Sequence, residues 1–275
     1  MRRRPAFSEA LAAYGEIIAA WARWTPGRLT PLGWDASECR RVWESGVPLL
    51  PRAPAPIVAD DLEELLAVVM ESLAVIKLDA VPWLRQVAEA WDHGAIAPAA
   101  LFPAPGGVAA QIVETIAGSS AEMAAFLACG SLRPALEAYF AQVRSNVGPH
   151  DWALGVCPFC GAPASFSDVL EDGRRRLACH LCGGGWFFPR TKCPFCASER
   201  SQDLLRLEPE SQDQGYLIIA CGGCRGYLKE LDRRVRWNGQ SALVEDWGSP
   251  HLDLIAHRAG YRRPVPVLIG LAQPI

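Results

Sequence analysis

CPFCGAPASFSDVLEDGRRRLACHLC (Cys157 to Cys182), CPFC (Cys193 to Cys196) and CGGC (Cys221 to Cys224) hold eight of the chain's ten cysteines, each in a Cys-x-x-Cys pair. Such a turn aims two sulfurs at one point, and two turns joined by a hairpin complete a tetrahedral cage of four thiolates. Four pairs make two cages. Eighteen residues separate Cys160 from Cys179 and twenty-four separate Cys196 from Cys221, room in each gap for an antiparallel hairpin. Only ten, GGGWFFPRTK, lie between Cys182 and Cys193, which suits a connector and one strand. The first pair is therefore expected to meet the second, and the third the fourth, in two tandem rubredoxin-like or zinc-ribbon-like modules. A four-thiolate tetrahedron suits zinc and a single rubredoxin-type iron alike.

Disulfides fit poorly, because eight strictly paired cysteines make an odd framework for a chain with no secretory signal. A thioredoxin-type redox motif needs one Cys-x-x-Cys opening a helix after a strand, whereas these four lie amid Pro and Gly. Cys39 and Cys129 stand apart from the pairs and read as small buried hydrophobes.

Outward from the cysteines, the 275 residues are 50% hydrophobic with a net charge of −3, enough for a substantial core. The start, MRRRPAFSEALAAYGEII, resembles a twin-arginine export signal, but Glu9 and Glu16 interrupt the apolar core such a signal needs. No apolar run reaches membrane-span length, so a cytoplasmic location is expected. Apolar residues at three- and four-residue spacing predict helices over Ser8–Trp24, Ala36–Glu44, Asp60–Ile76, Pro82–Trp91, Gly107–Ile116, Ser120–Ala128 and Leu132–Val147. Asp60, Asp61, Glu63 and Glu64 crowd one helix start, where they complement its dipole and need no catalytic role.

Gly148 and Pro149 break the helical pattern, and strands are expected at Arg175–Cys179, Trp186–Arg190, Gly215–Ala220 and Tyr227–Leu231. The fold class is α+β: an all-helical domain (1–150), a first four-cysteine module (151–190), and a second with a C-terminal helix (191–275), each module carrying a small antiparallel sheet. The second half holds fifteen Lys+Arg and fourteen Asp+Glu. Eight thiolates and two divalent ions would add about −4, so this half lacks the basic charge of a nucleic-acid-binding ribbon. Trp186, Phe187 and Phe188 read as covers for the cages, and His180 as an exposed knuckle residue. No nucleophile-base pair or phosphate loop stands out; no catalytic residue is expected.

CPFCGAPASFS (Cys157 to Ser167), GRRRLACHLCGGGWFFPRTKCPFC (Gly173 to Cys196), ACGGCRGYLKELD (Ala220 to Asp232) and LDLIAHRAGY (Leu252 to Tyr261) together resemble the FdhE family of formate dehydrogenase accessory proteins. The resemblance implies a cytoplasmic assembly factor, not an enzyme, that binds the catalytic subunit of a respiratory formate dehydrogenase. It implies iron, with zinc as the alternative, held by Cys157, Cys160, Cys179, Cys182, Cys193, Cys196, Cys221 and Cys224. The competing readings are a nucleic-acid-binding zinc ribbon and a thiol or iron redox protein. EDWGSPHLD (Glu245 to Asp253) departs from the family's usual acidic, aliphatic helix start, with Pro250 suited to a first helical turn.

Overall fold

A computed structural model describes residues 5–103, 112, 116, 120–209, 213–237 and 239–266. The helix expected over Gly107–Ile116 lies outside these apart from Ile112 and Ile116. Two compact units emerge, neither continuous in sequence: one of residues 1–31, 55–139 and 266–275, the other of residues 32–54 and 140–265.

The first unit is helical. Helices α1 (Ser8–Arg23), α3 (Glu63–Ile76) and α4 (Val81–Asp92) follow the apolar periodicity, and α3 packs against α1, α4 and α5 (Ala121–Tyr139). Ile17, Leu65, Leu66, Val69, Leu73, Phe126 and Leu127 are buried in this unit.

Helix α5 corrects the expectation of two helices divided near Gly130. Gly130 remains helical because its missing side chain admits α3: a Cβ there would lie 2.5 Å from a Val69 methyl. Pro134 lacks the N–H that would bond the Gly130 carbonyl four residues back, and the Trp21 indole N–H donates to that carbonyl instead, at 2.6 Å. Burial along α5 does the rest, since Met123 through Leu136 are all buried. Trp21→Phe keeps the ring but strands the carbonyl. It should cost about 1–3 kcal/mol in chemical denaturation, which a variant of wild-type stability would contradict.

The second unit is built on one six-stranded sheet, ordered β3-β2-β1-β6-β5-β4. Strands β1 (Ala164–Val169), β2 (Arg175–Cys179) and β3 (Gly185–Phe187) form one antiparallel set. Strands β4 (Leu204–Leu207), β5 (Tyr216–Cys221) and β6 (Tyr227–Asp232) form another. Parallel pairing of β1 with β6, Phe166 opposite Lys229 through Val169 opposite Asp232, fuses the two small sheets expected of separate modules into one.

Against one face lie α6 (Ala242–Trp247) and α7 (Pro250–Arg258). Phe166, Ile218, Tyr227 and Leu231 meet Leu252, Ala256 and Tyr261 in the core there. The same face holds a dense set of buried charges. Lys229, 0% exposed, bridges Asp246 at 2.7 Å and Asp253 at 2.8 Å, and Arg263 meets the same two acids at 2.8 and 3.1 Å. Arg233 binds Asp168 at 2.7 Å and Glu245 at 3.5 Å. The Tyr227 hydroxyl donates to Asp253 at 2.6 Å, and that of Tyr216 to Glu245. The EDWGSPHLD stretch thus turns its acids inward, with Pro250 in the first turn of α7 where its missing N–H costs nothing.

Candidate metal centre

Each Cys-x-x-Cys pair sits in the same kind of backbone turn. The first cysteine of three pairs receives a bond from the residue four on: Gly161 N–H to the Cys157 carbonyl at 2.9 Å, Ala197 to Cys193 at 3.0 Å, and Arg225 to Cys221 at 2.8 Å. The residue after each second cysteine turns left-handed: Gly161, Gly183, Ala197 and Arg225, at φ of 83, 68, 60 and 59°. Glycine enters that region freely, while Ala197 and Arg225 occupy it at some cost.

The turns bring eight sulfurs into two groups, Cys157, Cys160, Cys179 and Cys182 in one, Cys193, Cys196, Cys221 and Cys224 in the other, with all sulfurs of a group within 4.8 Å of one another. Contacts between pairs run at 3.5 Å (Cys157 to Cys182), 3.4 Å (Cys160 to Cys179), and 3.7 Å for both Cys193 to Cys224 and Cys196 to Cys221. A disulfide is about 2.0 Å long, and none of the ten cysteines forms one. Four sulfurs placed tetrahedrally about 2.3 Å from a metal ion stand about 3.8 Å apart. The second group matches that spacing, and the first falls slightly inside it, as thiols drawn together by mutual hydrogen bonds would. The donor set therefore fits a thiophilic ion that takes four sulfurs, and leaves no coordination position open.

Electrostatics agree. Burial pushes the Cys157 and Cys160 thiols well above their ordinary range. Burial also acts to raise Cys179, but hydrogen bonds from the Cys157, Cys160 and Cys182 thiols and the Cys182 backbone N–H bring it well below. In the second group burial drives Cys193 upward and raises Cys224 to about 11. Without a cation each cage holds its negative charge unevenly; a metal ion makes four thiolates compatible. Backbone N–H groups of Leu181 and Cys182 point at the Cys179 sulfur at 3.3 and 3.4 Å, and that of Gly226 at Cys224 at 3.4 Å, further stabilising thiolates.

The two cages differ in their surroundings. All four cysteines of the first are buried, whereas Cys196 and Cys224 of the second are exposed. The first owes its cover to residues far away in sequence. Trp43, at the end of α2 (Ala36–Trp43), donates its indole N–H to the Pro158 carbonyl at 3.0 Å. Backbone N–H groups of Leu49 and Leu50 reach the Pro158 and Phe159 carbonyls at 3.0 and 2.8 Å. Phe159 is fully buried with its ring 6.1 Å from Trp43 and 5.7 Å from Phe140. Gly184 is tied to this packing, for a Cβ there would lie 2.4 Å from the Phe159 ring. Arg144 donates to the carbonyls of Cys182 and Gly183.

Other sequence expectations divide. Cys39 and Cys129 are buried and belong to neither group. Trp186 and Phe188 are buried, with Trp186 donating to the Leu154 carbonyl at 3.1 Å. His180 is buried, not exposed: its Nδ1 lies 3.1 Å from the Pro163 carbonyl. Arg175 is an interior residue paired with Glu230 at 3.0 Å. In the sequence, only the apolar Trp43, Leu49 and Leu50 near an otherwise polar short helix mark residues 32–54 as cover for the first cage.

A sheet carrying two closed four-cysteine cages defines a ribbon protein of the rubredoxin and zinc-ribbon class. No family model matches the chain. Similar proteins include an FdhE homolog of Stutzerimonas stutzeri, 36% identical over 42% of this chain and 38% of its own length. Another, from Pseudomonas aeruginosa, is 28% identical over 69% of this chain and 66% of its own. A third, from Aquifex aeolicus, is 30% identical over 52% of this chain and 51% of its own. The chain thus spans about two fifths to two thirds of the length of these relatives. The crystal structure of the FdhE protein from Pseudomonas aeruginosa superposes with a TM-score of 0.56 at 23% identity, covering 94% of this chain and 86% of that one, and shares its fold. The chain is thus similar to FdhE proteins in sequence and shares the fold of one of them.

Proposed function

We propose that this chain is a cytoplasmic accessory protein in the assembly of a respiratory formate dehydrogenase, binding its catalytic subunit and holding one iron ion in each four-cysteine cage. The observation that carries this is the pair of cages in a chain similar to FdhE proteins, each presenting four sulfurs with no place left for water or substrate. Such closed sites suit a structural or binding role more than substrate turnover. Zinc would satisfy the same donors, and the surface position of Cys196 and Cys224 makes the second cage the one nearer to a partner or an oxidant. A near-balanced charge, −3 over the whole chain, supports a protein partner over a nucleic-acid backbone.

Among the described residues no helix is long and apolar enough to cross a membrane. The test is co-purification of the tagged chain with the catalytic subunit in cells where that subunit is not yet exported. Recovery is expected with the wild type and should fall at least tenfold when Cys193 and Cys196 are both changed to Ser. No recovery with the wild type, in cells making both proteins at normal level, would contradict the assignment.

A further inference from the structure

On the sheet face opposite Lys229 lies an open cavity of about 320 Å³ that the metal sites do not use. Strand pairing places its floor. Arg206 pairs with Ile219 across β4 and β5, Glu230 lies across from Leu217, and Arg175 stands two residues from Leu177 on β2, so these side chains share one face. Arg175 is 2% exposed and bound to Glu230 through Nε, while its Nη2 has no hydrogen-bond partner. A buried guanidinium nitrogen left without an acceptor is costly and needs an explanation. Ser167 donates to the same Glu230 oxygen at 2.9 Å, so Glu230 is already engaged.

Two more arginines, Arg190 and Arg206, line the cavity and are exposed. Among the described residues neither forms a salt bridge. The nearby acids are taken: Asp232 is held by Arg234 at 2.6 Å and Glu199 by Lys192 at 3.3 Å. Hydroxyls of Thr191 and Ser201 and the aliphatic side chains of Leu204 and Ile219 complete the lining.

Guanidinium forks recognise carboxylates in two-pronged fashion. The apolar wall suits the short carbon chain that carries such a group. Glu199 and Glu230 in the lining hold the net positive charge low, which favours a monoanion over phosphate.

We propose that this cavity is a carboxylate-binding site, in which Arg190 and Arg206 hold the anion and Arg175 supplies positive charge beneath it. The ligand is a carboxylate on a short aliphatic chain, whether a free small acid or a glutamate side chain of a polypeptide. The inference does not depend on which metal fills the cages or on the identity of the partner.

The test is a titration of the full metal-loaded chain, followed by NMR of the arginine side chains, with butyrate in one arm and an acetylated, amidated peptide holding a single glutamate in the other. Saturable shifts at Arg190 or Arg206 in either arm are expected, and the arm that binds more tightly names the source. Affinity should fall about tenfold or more in Arg190→Ala/Arg206→Ala, and partly recover in Arg190→Lys/Arg206→Lys, which keeps charge without the fork. Both positions are exposed, so folding is not at stake. No saturable shift in either arm, an undiminished affinity in the alanine double variant, or equal binding of inorganic phosphate would overturn the proposal.

Discussion

Cys179→Ser/Cys182→Ser should prevent the second unit from folding stably. A structural four-thiolate zinc site contributes about 10–16 kcal/mol of binding free energy in small domains, and total folding stability is about 5–15 kcal/mol, so removing two of four ligands outweighs the unit's margin. The first cage has the deepest consequences, because all four of its sulfurs are buried and Phe159, Trp43 and Phe140 pack around it. Near-ultraviolet circular dichroism should lose most of its aromatic signal from this unit, while helical far-ultraviolet signal from α1, α3, α4 and α5 persists. The same change at Cys193 and Cys196 should cost less, since Cys196 lies at the surface. A Cys179→Ser/Cys182→Ser variant that melts with wild-type cooperativity and midpoint would contradict the account.

Lys229→Met carries the second large effect. Removing one partner from a buried ionic cluster costs about 3–5 kcal/mol, because the charges left behind stay desolvated without compensation. Here the loss leaves Asp246 and Asp253 facing Arg263 alone, two carboxylates against one cation. Burial acts to raise the Asp253 pKa, but Arg263 and Lys229 beside it hold it below its ordinary value of 3.8. Because the folded value is the lower one, the stabilisation from Asp253 is complete above the unfolded pKa, near pH 4, and fades as pH falls through the folded value. Lys229→Met should therefore lose stability most at neutral pH and differ less from wild type in acid. Urea denaturation at neutral and acid pH measures both, and an unchanged neutral midpoint would contradict the structural role given to the cluster.

Much of this is legible in the sequence, for identifiable reasons. Cysteine spacing is a covalent constraint, and the gaps of eighteen and twenty-four residues read correctly as hairpins that bring Cys160 to Cys179 and Cys196 to Cys221. Helices α1, α3 and α4 have one wet face each, so their periodicity survives in sequence. Strand β1 is not legible in the sequence because every residue of ASFSDV is buried, which erases the alternation a half-exposed strand would show. Its burial comes from lying between β2 and β6, a parallel contact between residues about sixty apart. Strand β4 is a short edge with only four residues, too few to establish a period. The expected division of α5 falls beside Gly130, and contacts far away in sequence, the Trp21 indole 109 residues from Gly130 and Val69 packed against it, keep the helix continuous. The paired charges of Asp168, Glu230, Glu245, Asp246 and Asp253 look like solvated surface in sequence, yet all five are buried with cationic partners.

The central claim, one metal ion in each cage, is tested most directly by elemental analysis of protein purified without oxygen and without added metal. Two equivalents per chain are expected, with iron predominating. One equivalent should remain after Cys193→Ser/Cys196→Ser, and two after Cys39→Ser/Cys129→Ser. A folded wild-type chain holding only traces of any transition metal, or a content unchanged by Cys193→Ser/Cys196→Ser, would contradict the account.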